Sequence, residues 1–202
     1  PVGFGAGFVG DIEYVKLYGR ALTSAEVIKA AYGFGERSLP PVGQASFDFR
    51  AGTCGWQGRE GAQVAASPEG LVVKTPGLAS LAVHDHLDVD VSRKDFLAVR
   101  MAVNRGSRAV LVFATTRGAA RVPFQTHADG RMHTYILEPW QYVGWGGRLL
   151  ALGLVPADEE GAIARVQYLR VTEKPTGEGE VHLQSLYTES VLPRAGRPER
   201  IV

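Results

Sequence analysis

The sequence predicts an all-β protein, an antiparallel β-sandwich with one short N-terminal helix. Short apolar runs separated by Gly, Pro and Asp recur about every ten residues, the rhythm of strands and turns in a sandwich. The stretches 96–103 and 109–114 are nearly continuous apolar runs, which is how strands covered on both faces read. Glycine is abundant, at 25 residues in 202, and is spread throughout the chain, so turns are expected everywhere.

The elements follow in order. Gly5-Ala6-Gly7-Phe8-Val9-Gly10 spells G-x-G-x-x-G. A dinucleotide loop needs a strand before it and a helix directly after it, because the pyrophosphate sits on the helix N-terminus. Here the motif is followed by Asp11-Ile12-Glu13-Tyr14-Val15-Lys16-Leu17-Tyr18, which reads as a strand over 11–19. The glycines therefore read as a tight turn. Thr23-Ser24-Ala25-Glu26 is a capping box, with Leu22 and Val27 placed for a hydrophobic staple. Val27, Ala30 and Ala31 form one apolar stripe and Gly33 closes a helix over about 24–32. So short a helix must be pinned against a sheet. Residues 34–45, with Pro40-Pro41, read as a linker. Strands are expected near 46–50, 70–75, 78–84, 95–103, 108–115, 120–126, 131–138, 148–155 and 163–172. The polar stretch 173–180 reads as a second linker, and 174–202 as an extended tail whose arginines face solvent or an acidic surface.

Bulk properties exclude several classes. Lys plus Arg number 22 and Asp plus Glu 21, so the chain is not a dedicated nucleic-acid binder. Cys54 is the single cysteine, so no intrachain disulfide forms. No apolar run approaches the roughly 18 residues of a membrane span. A chain starting at Pro1 is expected to be a piece of a longer or processed product.

Two family resemblances sharpen this reading. Gly10-Asp11-Ile12-Glu13-Tyr14-Val15-Lys16-Leu17-Tyr18-Gly19-Arg20-Ala21-Leu22-Thr23-Ser24-Ala25-Glu26-Val27 resembles the last strand and closing helix of a laminin-G-like, concanavalin-type jelly roll. That family ends in a G-x-I-D-x-V-x-I-Y-x-R-A-L-S-x-x-E-I type run, and Glu13 replaces the usual Asp. The resemblance covers residues 1–33, a fragment of a first sandwich. It implies that strand 11–19 pairs with the missing part of that jelly roll, from the same gene product or from a partner chain; the alternative is that it adds to the edge of the 45–173 sandwich.

The second resemblance covers 46–173 and is to carbohydrate-binding-module sandwiches, also jelly-roll-like. Phe47-Asp48-Phe49 with Gly55-Trp56-Gln57 resembles their opening F-x-F strand and G-W turn, and 95–103 their central strand. Asp129-Gly130-Arg131-Met132-His133-Thr134-Tyr135 resembles their D-G-x-W-H-x-Y segment, with Met132 in place of Trp. The run from Trp145 to Pro156 resembles their W-x-G-x-I-x-x-L-x-x-x-P segment. Arg165-Val166-Gln167-Tyr168-Leu169-Arg170-Val171 resembles the closing I-D-Y-I-R-V strand, with Gln167 in place of Asp. The resemblance implies a calcium ion near Asp48 and the closing strand, but Gln167 offers only an amide oxygen there.

The candidate sites are few. A sugar stacks its C–H face on an aromatic ring while polar side chains fix its hydroxyls. Trp140, Tyr142 and Trp56 are the carbohydrate-binding candidates, Trp140 and Tyr142 in a loop. Trp145 reads as core. The run His84-Asp85-His86-Leu87-Asp88-Val89-Asp90 would put four metal-binding side chains on one strand face, but its spacing fits no known ligand motif and it reads as a polar strand end. His133 reads as a structural histidine, and Asp158-Glu159-Glu160 as a solvated turn. No catalytic residue, cofactor or metal ligand is assigned.

These readings imply a non-catalytic, carbohydrate-binding-like region of a larger secreted or envelope protein, periplasmic or extracellular, with a polysaccharide or glycan as partner. A structural or docking subunit of an assembly is the alternative, and an ancillary part of a polysaccharide-degrading enzyme the second.

Overall fold

The computed structural model describes residues 18–22 and 45–185. Most of the strand expected over 11–19, the helix over 24–32 and the end of the tail lie outside those residues. Residues 18–22 carry no regular element.

The described region is an all-β sandwich. Its strands are β1 (Ser46–Asp48), β2 (Gln57–Arg59), β3 (Gln63–Ser67), β4 (Gly70–Thr75), β5 (Leu81–His84), β6 (Val89–Asp90) and β7 (Phe96–Val103). Then come β8 (Arg108–Thr115), β9 (Ala119–Gln125), β10 (His133–Leu137), β11 (Arg148–Val155), β12 (Ala162–Thr172) and β13 (Val181–Gln184). One sheet runs β13-β10-β7-β12-β4-β3, with β1 also on β12. The other runs β2-β5-β11-β8-β9, with β6 also on β11. All pairings are antiparallel except that β13 lies parallel to β10.

Alternation places the core between the sheets. Leu97, Val99, Met101 and Val103 of β7 face inward, as do Leu111 and Phe113 of β8 and Leu152 and Leu154 of β11. Burying each such side chain is worth about 1.5–3 kcal/mol. The apolar runs at 96–103 and 108–115 are continuous because the intervening residues are covered too. Phe96, Ala98, Ile136 and Tyr168 form one buried cluster, and Leu81, Val83, Val112, Ala114, Ala151 and Val155 another. They alternate with the central core residues along the same strands, so each belongs to the far side of its sheet.

The first of these outer clusters has a visible cover. Register shifts between Val166 and Tyr168 on β12, a bulge that turns both Gln167 and Tyr168 outward. The stretch 173–180, read from sequence as a linker, leads from β12 to β13 and lies across that face. Glu178 accepts hydrogen bonds from Arg100 Nη1 and Thr134 Oγ1 at its carbonyl, both at 2.6 Å, and its N–H donates to the Tyr168 hydroxyl at 3.1 Å. Arg100 Nε also donates to Gln167 Oε1 at 2.8 Å. A Cβ at Gly177 would stand 2.6 Å from Thr134 Cγ2, so only glycine lets this strap lie so close.

Candidate functional site

β10 leads directly into the loop that carries two of the candidate aromatics. After Glu138, Pro139 fixes its own φ and opens a 3-10 turn over Pro139–Gln141. Backbone N–H groups of Gln141, Tyr142 and Trp145 donate in succession to Glu138, Pro139 and Tyr142 carbonyls, so the loop is a chain of tight turns. Trp140 and Tyr142 are half-buried on it, and Val143 at its tip is 94% exposed. Trp145 turns inward: its indole N–H donates to the Lys94 carbonyl at 2.7 Å, and its ring meets Phe113 edge-on at 5.0 Å.

Polar groups line the same turn. Gln141 Nε2 donates to Glu138 Oε2 at 2.6 Å and to Ser185 Oγ at 2.9 Å. The far side of the loop is fastened to the β8–β9 turn. Thr115 Oγ1 donates to the Gly144 carbonyl at 2.6 Å, and Gly144 meets Gly118 backbone to backbone. Tyr142 packs partly against the core, and half-buried rings on a loop that also carries amide and carboxylate groups are a surface that a hydroxylated, partly apolar ligand can use.

The third candidate lies elsewhere. Trp56 is 3% exposed, held edge-on by Phe47 and Phe49 at 5.6 Å each. Its geometry is that of a core plug with no open ring face.

The 84–90 run is dispersed. The chain leaves its regular pairing with β11 after His84 and touches β11 again through the Leu87 N–H to the Leu150 carbonyl at 3.0 Å before β6, so alternation on one face breaks. His84 points into the core against Phe47 at 5.4 Å. Asp85 pairs with Arg59 and Asp88 with Arg148, while Asp90 accepts from the Ser92 N–H. Burial pushes the His84 imidazole below its ordinary range, with Asp85 opposing and His86 adding to the shift. A depressed histidine is neutral in the folded state, so its stabilising share is complete above the unfolded value of 6.5 and is lost as pH falls below it. Thermal melts from about pH 7.5 to about pH 5 are therefore expected to show falling stability that His84→Phe flattens; an equal slope in both proteins would contradict this.

The oxygens implied for calcium are already occupied. Asp48 Oδ1 accepts from Arg50 Nε at 2.8 Å and from the Arg50 N–H at 3.1 Å, and that arginine holds the carboxyl down at about 2. Gln167 is held by Arg100.

Sequence reasoning missed one cluster. His127, His133 and His182 bring ring nitrogens within 4.8 Å of one another. His133 and the loop before β10 supply two of them, and the parallel register Tyr135↔His182 brings the third. His127-x5-His133 was visible in the sequence, but nothing signalled that a strand 49 residues beyond His133 would join them. Burial, then the neighbouring His127, pushes His182 below its ordinary range.

No family model matches the chain, and the curated proteins contain no match. Solved structures do resemble it. A mutant family 29 carbohydrate-binding module is 13% identical, with a TM-score of 0.45 over 58% of this chain and 76% of that one. A mutant of that module complexed with mannohexaose gives the same identity and TM-score over 58% and 82%. The apo BiXyn10A CBM1 module is 14% identical, with a TM-score of 0.46 over 66% of this chain and 99% of that one. Likeness of this size assigns no residue.

Proposed function

We propose that the sandwich binds a polysaccharide without acting on it, through the loop edge that carries Trp140 and Tyr142. The observation behind this reading is the pairing of two half-buried rings with Glu138, Gln141 and Ser185 on one turn-locked loop. A pyranose would lay its C–H face on a ring and its hydroxyls against these polar groups. The non-catalytic reading is supported by the use made of two carboxylates as hydrogen-bond acceptors within the fold, Glu138 from Gln141 and Asp88 from Arg148.

Residues 1–33 are read as the closing strand and helix of a laminin-G-like jelly roll. That resemblance supports reading the sandwich as one module of a secreted or envelope protein, in the periplasm or outside the cell, where polysaccharides are met. Affinity electrophoresis of the full chain in gels holding single soluble polysaccharides tests the binding. At least one polysaccharide is expected to retard the wild type, and Trp140→Ala to abolish the retardation with the circular dichroism spectrum unchanged. A folded wild type that no polysaccharide retards would overturn the reading.

A further inference from the structure

We propose that His127, His133, His182 and Glu180 form a four-ligand site for a divalent transition metal of the zinc type, which clasps β13 to β10. The site stands at the opposite end of β10 from Trp140 and does not depend on the glycan reading.

The geometry fits one cation. Zinc–imidazole bonds of about 2.0–2.1 Å in a tetrahedron set neighbouring ligand atoms about 3.3–3.4 Å apart. His133 Nδ1 lies 3.2 Å from His182 Nε2. The two Glu180 oxygens face the same pair, Oε2 at 3.5 Å from His133 Nδ1 and Oε1 at 3.5 Å from His182 Nε2. The His127 ring stands over both other imidazoles, with centroids at 4.9 and 4.4 Å. Being exposed, it has room to turn a nitrogen toward the shared point.

The protonation pattern agrees. His133 Nε2 sits 3.0 and 3.1 Å from the two Asp129 oxygens, so its proton belongs on that side and Nδ1 presents its lone pair to the cluster. A carboxylate behind a ligating imidazole orients the ring and raises its basicity. Asp129 is in turn held by the Arg131 N–H at 2.9 Å. Asp129 and Glu180 together balance the charge of a dication. Three imidazoles and one carboxylate suit zinc and its transition-metal neighbours, and not calcium or magnesium.

The ion has structural work to do. β13 is a four-residue parallel edge strand, and its Val181 and Leu183 are 45% and 52% exposed. Packing alone holds it weakly. His182 and Glu180 lie on β13 and at its entrance, and His133 opens β10, so a bound ion would fasten the last strand and the strap before it.

The test uses the full chain, stripped with EDTA and titrated with zinc chloride by calorimetry, then with cobalt(II) as a visible probe. One equivalent should bind, with a four-coordinate cobalt spectrum and slowed amide exchange at 181–184. His127→Ala removes an exposed ligand and should weaken binding at least about tenfold, as Asp129→Asn should through the second carboxylate. His182→Ala should abolish it, and His86→Ala, outside the site, should leave it unchanged. No saturable zinc binding overturns the proposal. So does binding that His127→Ala and His182→Ala leave intact, or binding that does not slow exchange in β13.

Discussion

Replacing Trp56 by Ala is expected to cost about 3–5 kcal/mol of stability, the range for a large aromatic cut out of a packed interior. The ring fills the space between Phe47, Phe49 and His84 and is 3% exposed, so no neighbour on the surface can move in. Phe47 and Phe49 also tie β1 and the turn after it to the core, so their packing loosens with it. Urea denaturation measures the loss. A change below about 1 kcal/mol would mean that Trp56 stands in a site and not in the core. Trp140→Ala is expected to behave the other way, leaving stability nearly intact and removing glycan affinity.

The second large effect is expected at Gly144. Its φ of +97° disfavours any side chain, and a Cβ there would lie 2.9 Å from the Gly118 carbonyl carbon and Cα. Neither backbone can retreat. Thr115 Oγ1 donates to the Gly144 carbonyl at 2.6 Å, and the Thr115 N–H holds the Gly118 carbonyl at 2.7 Å. Gly144→Ala should therefore cost about 1–3 kcal/mol of backbone strain. It should also push the loop 139–147 outward, displacing Trp140 and Tyr142. Glycan affinity is expected to fall with both aromatics still present. Wild-type affinity in Gly144→Ala would show that the loop need not be held in place to bind.

The long strands were legible because their residues state their surroundings. The runs at 96–103, 108–115 and 148–155 are apolar on both faces, and both faces are buried. The reading of 70–75 holds for a different reason: Leu71, Val73 and Thr75 are buried while Val72 and Lys74 between them are not, the alternation of a strand buried on one face, between β3 and β12. Short edge elements were not legible. Gln57-Gly58-Arg59 has no apolar pattern, and β3 is mostly exposed, so pairing alone makes them strands. Val181-His182-Leu183-Gln184 does alternate, but it follows a Gly- and Glu-rich stretch that reads as linker. Its place beside β10 comes from long-range pairing that no local signal carries. That is also why the histidine cluster escaped notice while Trp140 and Tyr142, two residues apart in sequence, did not.

The chain has three tryptophans, Trp56, Trp140 and Trp145, so a nitrogen-15 spectrum carries three indole N–H signals that report the three environments separately. Titration with an oligosaccharide of whichever polysaccharide retards the chain is the most direct measurement of the central claim. The Trp140 signal is expected to shift in proportion to saturation, while those of Trp56, in the core, and Trp145, bonded to Lys94, stay in place. A saturating titration that leaves the Trp140 signal unmoved would contradict the assignment of the site.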